Sequence, residues 1–129
     1  MAGTSPTKRT LDYLKEKGYT CTITERWNAF AKIRQDLFGF IDIVALGNFS
    51  ILGIQCTSGD HVAERVAKIK GLKEAVDWKL NTGRILVVGW RKVGARGKRK
   101  TWEPRIVELH YKAGWLESKS EEIPKNVTF

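Results

Sequence analysis

Apolar and polar positions change their period along the 129-residue chain in a way that predicts an α/β fold. A first helix is expected over residues 5–17, with Thr4 or Ser5 as its N-terminal cap and Gly18 as its end. The threonine-rich alternation of residues 19–27 then indicates a strand.

Two apolar strands follow in the segment DLFGFIDIVALGNFSILGIQCTSG. We expect them over residues 40–46 and 50–57, joined as a hairpin at Gly47-Asn48. The segment carries only two charged side chains, and one of them, Asp42, lies in the middle of a strand. Because burying an unpaired carboxylate costs several kcal/mol, we expect Asp42 to have a compensating partner in the folded protein.

The second half of the chain predicts one long helix and two further strands. Helix 60–80 carries an apolar stripe at helical spacing, formed by Val62, Val66, Ile69, Val76 and Leu80. Strands are expected over residues 84–90 and 106–111, with a glycine-rich basic loop, residues 91–105, between them.

The resulting order, α-β-β-β-α-β-β, predicts a single α/β domain over residues 1–129 in which helices flank a central mixed sheet. Its core would span about residues 5–111, and the tail 112–129 would be peripheral. No apolar run reaches the ~18 residues of a membrane span, and the start lacks the apolar segment of a signal peptide. Neither Cys21 nor Cys56 has metal-ligand spacing, and the two do not suggest a disulfide framework. We therefore expect a protein of the reducing cytoplasm, without a membrane partner.

The net charge of +9 is concentrated, since residues 91–112 alone hold eight Lys or Arg and two Glu. A basic segment of this density favours phosphate binding through counterion release, although a solubility patch is the alternative. The candidate nucleic-acid-binding residues are Arg26, Lys32, Arg34, His61, Arg65, Arg96, Lys98, Arg99 and Lys100. Trp27 and Trp102 have basic neighbours and are candidate base contacts.

Strand alternation is expected to bring acidic side chains and one glutamine together within this basic chain. Asp42 and Gln55 lie on neighbouring hairpin strands and are expected side by side, while Glu25 falls in the apolar register of its strand. Asp42 alone could be a structural acid paired with an arginine. A cluster of acids instead fits Mg²⁺ or Mn²⁺, which binds one or two carboxylates together with phosphate oxygens.

An upstream acid, then G-F-x-D-x-x-A-L, a short turn and an apolar strand ending in I-Q-x-T resembles the PD-(D/E)xK nuclease superfamily. Size and layout are most similar to the archaeal-type Holliday junction resolvases and related small phage nucleases. The resemblance covers about residues 5–90. In it, Asp42 matches the aspartate of the motif, and Glu25 stands near the upstream acid, with Asp36 as an additional or competing candidate. A turn at Gly39 would have to fold Asp36 back toward the site.

The second half of the motif departs from the superfamily. Gln55 replaces the second carboxylate and can bind a metal through its amide oxygen, and the Cys56 carbonyl would contribute as the equivalent backbone does in the superfamily. Thr57 replaces the lysine and supplies no charge. A cation from the following helix can take its place, and the candidates on one helix face are His61, Arg65 and Lys68.

The resemblance implies a restriction-endonuclease-like domain acting as a Mg²⁺- or Mn²⁺-dependent endodeoxyribonuclease on branched or double-stranded DNA, at the nucleoid or in a phage-infected cell. It also implies a homodimer, for which the apolar residues of helix 60–80 and Trp115 would supply the surface. Two alternatives remain open. One is a DNA-binding module that kept the nuclease fold and lost the chemistry, as Gln55 and Thr57 would fit, and the other is an RNA-directed nuclease.

Overall fold

The computed structural model describes residues 4–127 and has an α/β architecture with a mixed central sheet, as predicted. Residues 1–3 and 128–129, the outer ends of the predicted domain and tail, lie outside the described residues. The helices are α1 (Pro6–Glu16), α2 (Val62–Lys70) and α3 (Lys73–Leu80). The strands are β1 (Thr20–Ile23), β2 (Arg26–Asn28), β3 (Ile33–Gln35), β4 (Ile43–Gly47), β5 (Ser50–Ser58), β6 (Gly83–Val93), β7 (Thr101–Lys112) and β8 (Trp115–Ser120).

Six strands form the main sheet in the order β1-β4-β5-β6-β7-β8. Strands β5 and β6 are parallel and are connected through α2 and α3, whereas the other neighbouring pairs are antiparallel. Strands β2 and β3 form a separate antiparallel hairpin. None of the described helices is long and apolar enough to cross a membrane.

Side-chain alternation along the strands divides the core into one apolar layer on each face of the sheet. On one face, Leu11 and Leu14 of α1 pack among buried residues that include Ile54 of β5. On the other face, Val62 and Val66 of α2 belong to the second layer. The sheet is therefore packed on both faces, with α1 on one side and α2 on the other.

Helix α1 begins and ends where the sequence predicts. The Ser5 Oγ accepts a hydrogen bond from the Lys8 backbone N–H at 3.1 Å, and Pro6 occupies the first helical position. Gly18 follows the helix with φ of +89°, a conformation that glycine adopts without strain.

The prediction of one continuous helix over residues 60–80 is wrong. A short 3₁₀ turn, Gly59–His61, leads into α2, and the helix is interrupted at Gly71 before α3 begins. Gly71 has weak helix propensity, and Leu72 is extended and packs against the apolar layer beneath it. The break therefore lets two short helices cover the twisted sheet.

The dimer surface expected from helix 60–80 is also not available as predicted. Val62, Val66 and Ile69 are buried against the sheet, where they stabilise the fold. Among the residues named for that surface, Leu80 and Trp115 are exposed, at 60% and 57%.

The strand predicted over residues 19–27 is divided between two sheets. Strand β1 ends at Ile23, and Thr24 then donates its backbone N–H to the Asp42 carbonyl at 2.7 Å and its hydroxyl to the Ile41 carbonyl at 3.0 Å. Residues 26–28 pair with β3 instead. Because the alternation continues across this change of partner, the pattern could not show it.

The turn between β4 and β5 lies one residue later than predicted. Gly47 pairs with Ser50, so the central turn residues are Asn48 and Phe49, with φ of 50° and 60°. Positive φ at both positions is typical of a type I′ hairpin turn. Gly47 is required for a different reason, because a Cβ there would collide with the Tyr19 ring.

Two predictions for the C-terminal half need correction. The basic loop 91–105 is shorter than expected, because β6 continues to Val93 and β7 begins at Thr101. The tail is not peripheral, since β8 pairs with β7 and buries Leu116, and Ile123 beyond it is only 3% exposed. Its short mixed sequence carries too little alternation to predict a strand.

Candidate metal centre

Asp42 reaches the site because it immediately precedes β4. Its backbone N–H donates to the Ile54 carbonyl of β5 at 2.8 Å, which holds the side chain next to the following residues of that strand. The Gln55 amide Nε2 donates to Asp42 Oδ2 at 2.8 Å, and the Cys56 backbone N–H donates to the same oxygen at 2.8 Å. The predicted proximity of Asp42 and Gln55 is confirmed.

The other two acids are placed by the β2–β3 hairpin. Glu25 directly precedes β2 and Asp36 directly follows β3, so the base of the hairpin brings them together. Asp36 is turned back by a tight loop in which the Leu37 N–H donates to the Ile41 carbonyl at 2.9 Å and Gly39 has φ of +81°. The predicted turn at Gly39 is therefore confirmed.

Glu25, Asp36 and Asp42, called the acid cluster below, offer carboxylate oxygens that all lie within 4.8 Å of one another. Asp42 is 3% exposed, whereas the side chains of Glu25 and Asp36 are 18% and 19% exposed. Asp36 also lines an open cleft of about 660 Å³, together with Arg34 and Lys68. The spacing and the oxygen ligands fit one hard divalent cation that has access to solvent.

The charge state of Asp42 supports that fit. Burial, a hydrogen bond to Asp36 and the negative charges of Asp36 and Glu25 together raise the pKa of Asp42 to about 8, although the Cys56 N–H opposes the rise. A buried carboxyl that retains a proton near neutral pH lacks a compensating positive charge. A bound cation would supply that charge and displace the proton.

Among the three helix cations proposed to replace the motif lysine, Lys68 reaches the cluster. Its Nζ lies 3.4 Å from Gln55 Oε1 and 3.8 Å from Asp36 Oδ2. Its side chain is 40% exposed, so the ammonium group also faces the cleft. The structure thus places a lysine at the site from α2, where the strand offers only Thr57.

His61 and Arg65 are placed differently. His61 is half exposed, and its Nδ1 lies 3.1 Å from a Glu64 carboxylate oxygen. The Arg65 Nε is buried without a hydrogen-bond partner among the described residues. Among the described residues, neither side chain pairs with the acid cluster.

The outer acids and the inner acid differ in their partners. Arg34 Nη1 lies 3.4 Å from Glu25 Oε1, and Lys68 approaches Asp36 in the same way. Asp42, in contrast, accepts its two hydrogen bonds from the neutral N–H groups of Gln55 and Cys56. The most buried member of the cluster is therefore the one held by neutral donors.

Gln55 presents its amide nitrogen to the acids, since Nε2 also lies 3.4 Å from Asp36 Oδ2. Metal binding through its oxygen would require the amide to turn over, so that role stays a prediction. Burial raises the pKa of the Cys56 thiol, which keeps it protonated, and a role for the Cys56 carbonyl also stays a prediction. Thr57 is buried opposite Gly89 of β6.

The predicted phosphate contacts lie at one end of the sheet. Arg26, Lys32 and Arg34 belong to the exposed β2–β3 hairpin beside the acid cluster. The other group lies in the loop after β6 and consists of Arg96, Lys98, Arg99 and Lys100. Because β5 and β6 are parallel, this loop lies beyond the C-terminal ends of both strands, and it begins after Val93, six residues past Val87, the partner of Gln55.

Sequence reasoning missed a second group with potential ligands, formed by Glu108, His110 and Glu121. The first two residues lie on one face of β7, so alternation within the predicted strand 106–111 was the available signal. Arg84 donates two hydrogen bonds to Glu108, at 2.8 and 2.7 Å. This bidentate ion pair already compensates the buried carboxylate.

No protein-family model matches the chain, and no curated protein or solved structure is detectably similar to it.

Proposed function

We propose that the chain is a divalent-metal-dependent endodeoxyribonuclease with a restriction-endonuclease-like domain. One observation carries the proposal: the acid cluster and the Lys68 ammonium group lie together, and Asp36 and Lys68 open into a cleft that Arg26 and Arg34 also line. The fold assignment is supported by the β4–β5 hairpin, which brings Asp42 to Gln55, and by the following helix, which supplies the lysine.

Asp42, Asp36 and Glu25 would hold Mg²⁺ or Mn²⁺. When bound, the ion would make a water molecule acidic enough to attack and would neutralise charge on the scissile phosphate. The two outer carboxylates are partly exposed, which leaves the ion accessible to a phosphodiester. The Gln55 amide orients the carboxylates of Asp42 and Asp36 by donating toward both.

Lys68 would stabilise negative charge on the phosphate during cleavage. A cation fixed beside the reacting group is effective because it is oriented before the charge develops. The Gln55 amide oxygen, 3.4 Å from Nζ, holds the ammonium group near the cleft. Gln55 therefore connects the acids to the lysine.

The basic hairpin and the loop beyond β6 would bind the DNA backbone. Their exposed side chains carry the charge that phosphate binding requires, and binding should weaken steeply with salt concentration. These contacts position the backbone over the acids without reading a sequence.

Cleavage of labelled DNA tests the proposal. A four-way junction and a linear duplex of matched sequence are incubated with the protein in Mg²⁺, Mn²⁺ or EDTA. We expect metal-dependent cleavage that falls on the order of a thousandfold in Asp42→Asn. Asp12→Asn is the matched control, because Asp12 is exposed on α1 and pairs with Lys8.

The outcomes separate the alternatives left open by the sequence. Symmetrical nicks in the junction would identify a junction resolvase, and equal cutting of linear duplex a broader nuclease. Cleavage of a matched RNA alone would make the chain an RNA-directed nuclease. Tight DNA binding without cleavage in either metal would leave the binding module, whose support is that Gln55 and Thr57 stand where the nuclease motif has a carboxylate and a lysine.

A further inference from the structure

The β2–β3 hairpin, residues 26–35, has an apolar tip. Phe30 at its turn is fully exposed, at 102%, and Trp27 and Ile33 on its two strands are 60% and 50% exposed. Trp27 pairs with Arg34 and Ile33 pairs with Asn28, so these two apolar side chains lie on opposite faces of the hairpin, with Phe30 at the turn between them. Single exposed apolar residues are ordinary, but three large ones within seven residues make the tip a candidate interaction site. The turn is itself held in shape, because the Asn28 side chain accepts hydrogen bonds from the backbone N–H groups of Phe30 and Ala31.

The sides of the same hairpin are basic, and this decides the kind of partner. Arg26, Lys32 and Arg34 are exposed, and Arg34 lies opposite Trp27 in the strand register, so both share one face. An apolar protein surface would have to bury these charges. Nucleic acid complements both features, because its phosphates pair with the cations and its bases stack on apolar side chains.

The base of the hairpin is part of the candidate metal centre. Glu25 and Asp36 flank its two strands directly, so the position of the hairpin determines the position of two of the three acids. At about 3.3 Å per residue, the backbone from Glu25 to Ala29 extends roughly 13 Å. The grooves of B-DNA are only about 7.5–8.5 Å deep, so a tip of this length reaches the bases while the acids face a phosphate.

We propose that this hairpin is a wedge that inserts Phe30 into an interrupted base stack of branched DNA and thereby positions Glu25 and Asp36 at the adjacent phosphate. The inference rests on the nuclease function proposed above. Apolar side chains inserted between base steps unstack them at an energetic cost. That cost is smallest where pairing is already broken, so the wedge selects branch points over continuous duplex.

The experiment follows 2-aminopurine fluorescence at the branch point of a four-way junction, and inside a matched linear duplex, with the protein in EDTA. Wild type is expected to raise the fluorescence of the junction only. Phe30→Ala should abolish that rise and weaken junction binding roughly tenfold to a hundredfold, the usual effect of losing one stacked aromatic contact. Phe30→Leu should retain part of both effects.

Phe49→Ala is the matched control, because Phe49 is 86% exposed but lies on the β4–β5 turn, at the far end of those strands from Asp42. Thermal unfolding of each variant verifies the fold. The proposal is overturned if Phe30→Ala behaves as wild type, if it weakens junction and linear duplex equally, or if a signal dependent on Phe30 arises only with RNA.

Cleavage in Mg²⁺, measured in parallel, keeps the two proposals apart. Wild type that cleaves DNA while Phe30→Ala retains full junction preference would refute the wedge and leave the nuclease intact. Fluorescence that depends on Phe30, without cleavage in any metal, would support the wedge and refute the nuclease. Absence of any DNA binding would refute both.

Discussion

Two buried acids of this chain, Asp42 and Glu108, are each 3% exposed and yet behave oppositely. Glu108 accepts two hydrogen bonds from Arg84, and although burial opposes ionisation, this pairing lowers the pKa of Glu108 below its ordinary value. Burial, followed by the neighbouring Asp36, raises the pKa of Asp42 to about 8.

The difference shows how a structural acid is distinguished from a candidate ligand. Glu108 has a dedicated arginine within the fold, so its charge is compensated when the protein is alone. Asp42 faces two further carboxylates and neutral N–H donors, so its charge is compensated only by a proton or by a cation from solution. Burial alone therefore does not identify a site, but burial without an internal counter-charge does.

The largest expected difference is in the pH dependence of stability. In EDTA, folded Asp42 keeps its proton up to about pH 8, whereas the unfolded residue loses it near 3.8. The folded state binds more protons between these values, so the free energy of unfolding falls as pH rises, by up to about 5 kcal/mol. Urea unfolding from pH 4 to 8 measures this, and Asp42→Asn should remove the slope.

Glu108 supplies the contrast of opposite sign. Because its folded pKa lies below the ordinary value of 4.5, it contributes stability above that pH, which is lost as the pH falls. Glu108→Gln should therefore leave the decline between pH 5 and 8 unchanged. If that variant also abolished the decline, the comparison between the two acids would be wrong.

Removing each charge at pH 8 in EDTA should change stability in opposite directions. Glu108→Gln leaves Arg84 without its partner and should lower the free energy of unfolding by about 3 kcal/mol. Asp42→Asn removes an uncompensated charge and should raise it. Chemical denaturation of both variants measures this, and a loss of stability in Asp42→Asn would make Asp42 a structural acid.

Divalent cations should act on one cluster and not on the other. Mg²⁺ at about one hundred times its dissociation constant should stabilise the folded protein by about 2.7 kcal/mol, because the ion binds the native acids. Thermal unfolding in Mg²⁺ or Mn²⁺ against EDTA should show the shift in wild type and in Glu108→Gln. A shift that survives in Asp42→Asn but disappears in Glu108→Gln would place the ion at the second group.

The smallest expected effect concerns the cation beside the acids. Lys68→Met should lower the cleavage rate about tenfold, equivalent to about 1.4 kcal/mol of transition-state stabilisation, because a charge near the phosphate is lost. Lys70→Met is the matched control, since Lys70 is exposed on the same helix. Equal rates in the two variants would remove Lys68 from the mechanism.

The sequence by itself determined the local geometry around Asp42. A period of two along paired strands puts Asp42 and Gln55 on the same face of the hairpin, and the turn at Asn48-Phe49 sets the register in which they form a hydrogen bond. The cap at Ser5 and the turn at Gly39 were predictable for the same reason, since short-range sterics and hydrogen bonding fix them.

Only the tertiary structure decided which distant groups meet. Alternation predicted a single strand over residues 19–27, but the change of pairing partner at Thr24 creates the hairpin that carries Glu25 and Asp36 to Asp42. The break at Gly71 and the strand in the tail likewise depend on packing against the sheet.

The choice of Lys68 among three cations on one helix face, and the pairing of Arg84 with Glu108, depend on where whole elements lie. Periodicity reports the face of a residue but not its partner across the fold. The sequence thus specified the charged residues of the site, and the fold alone specified that Asp42 would be left without an arginine.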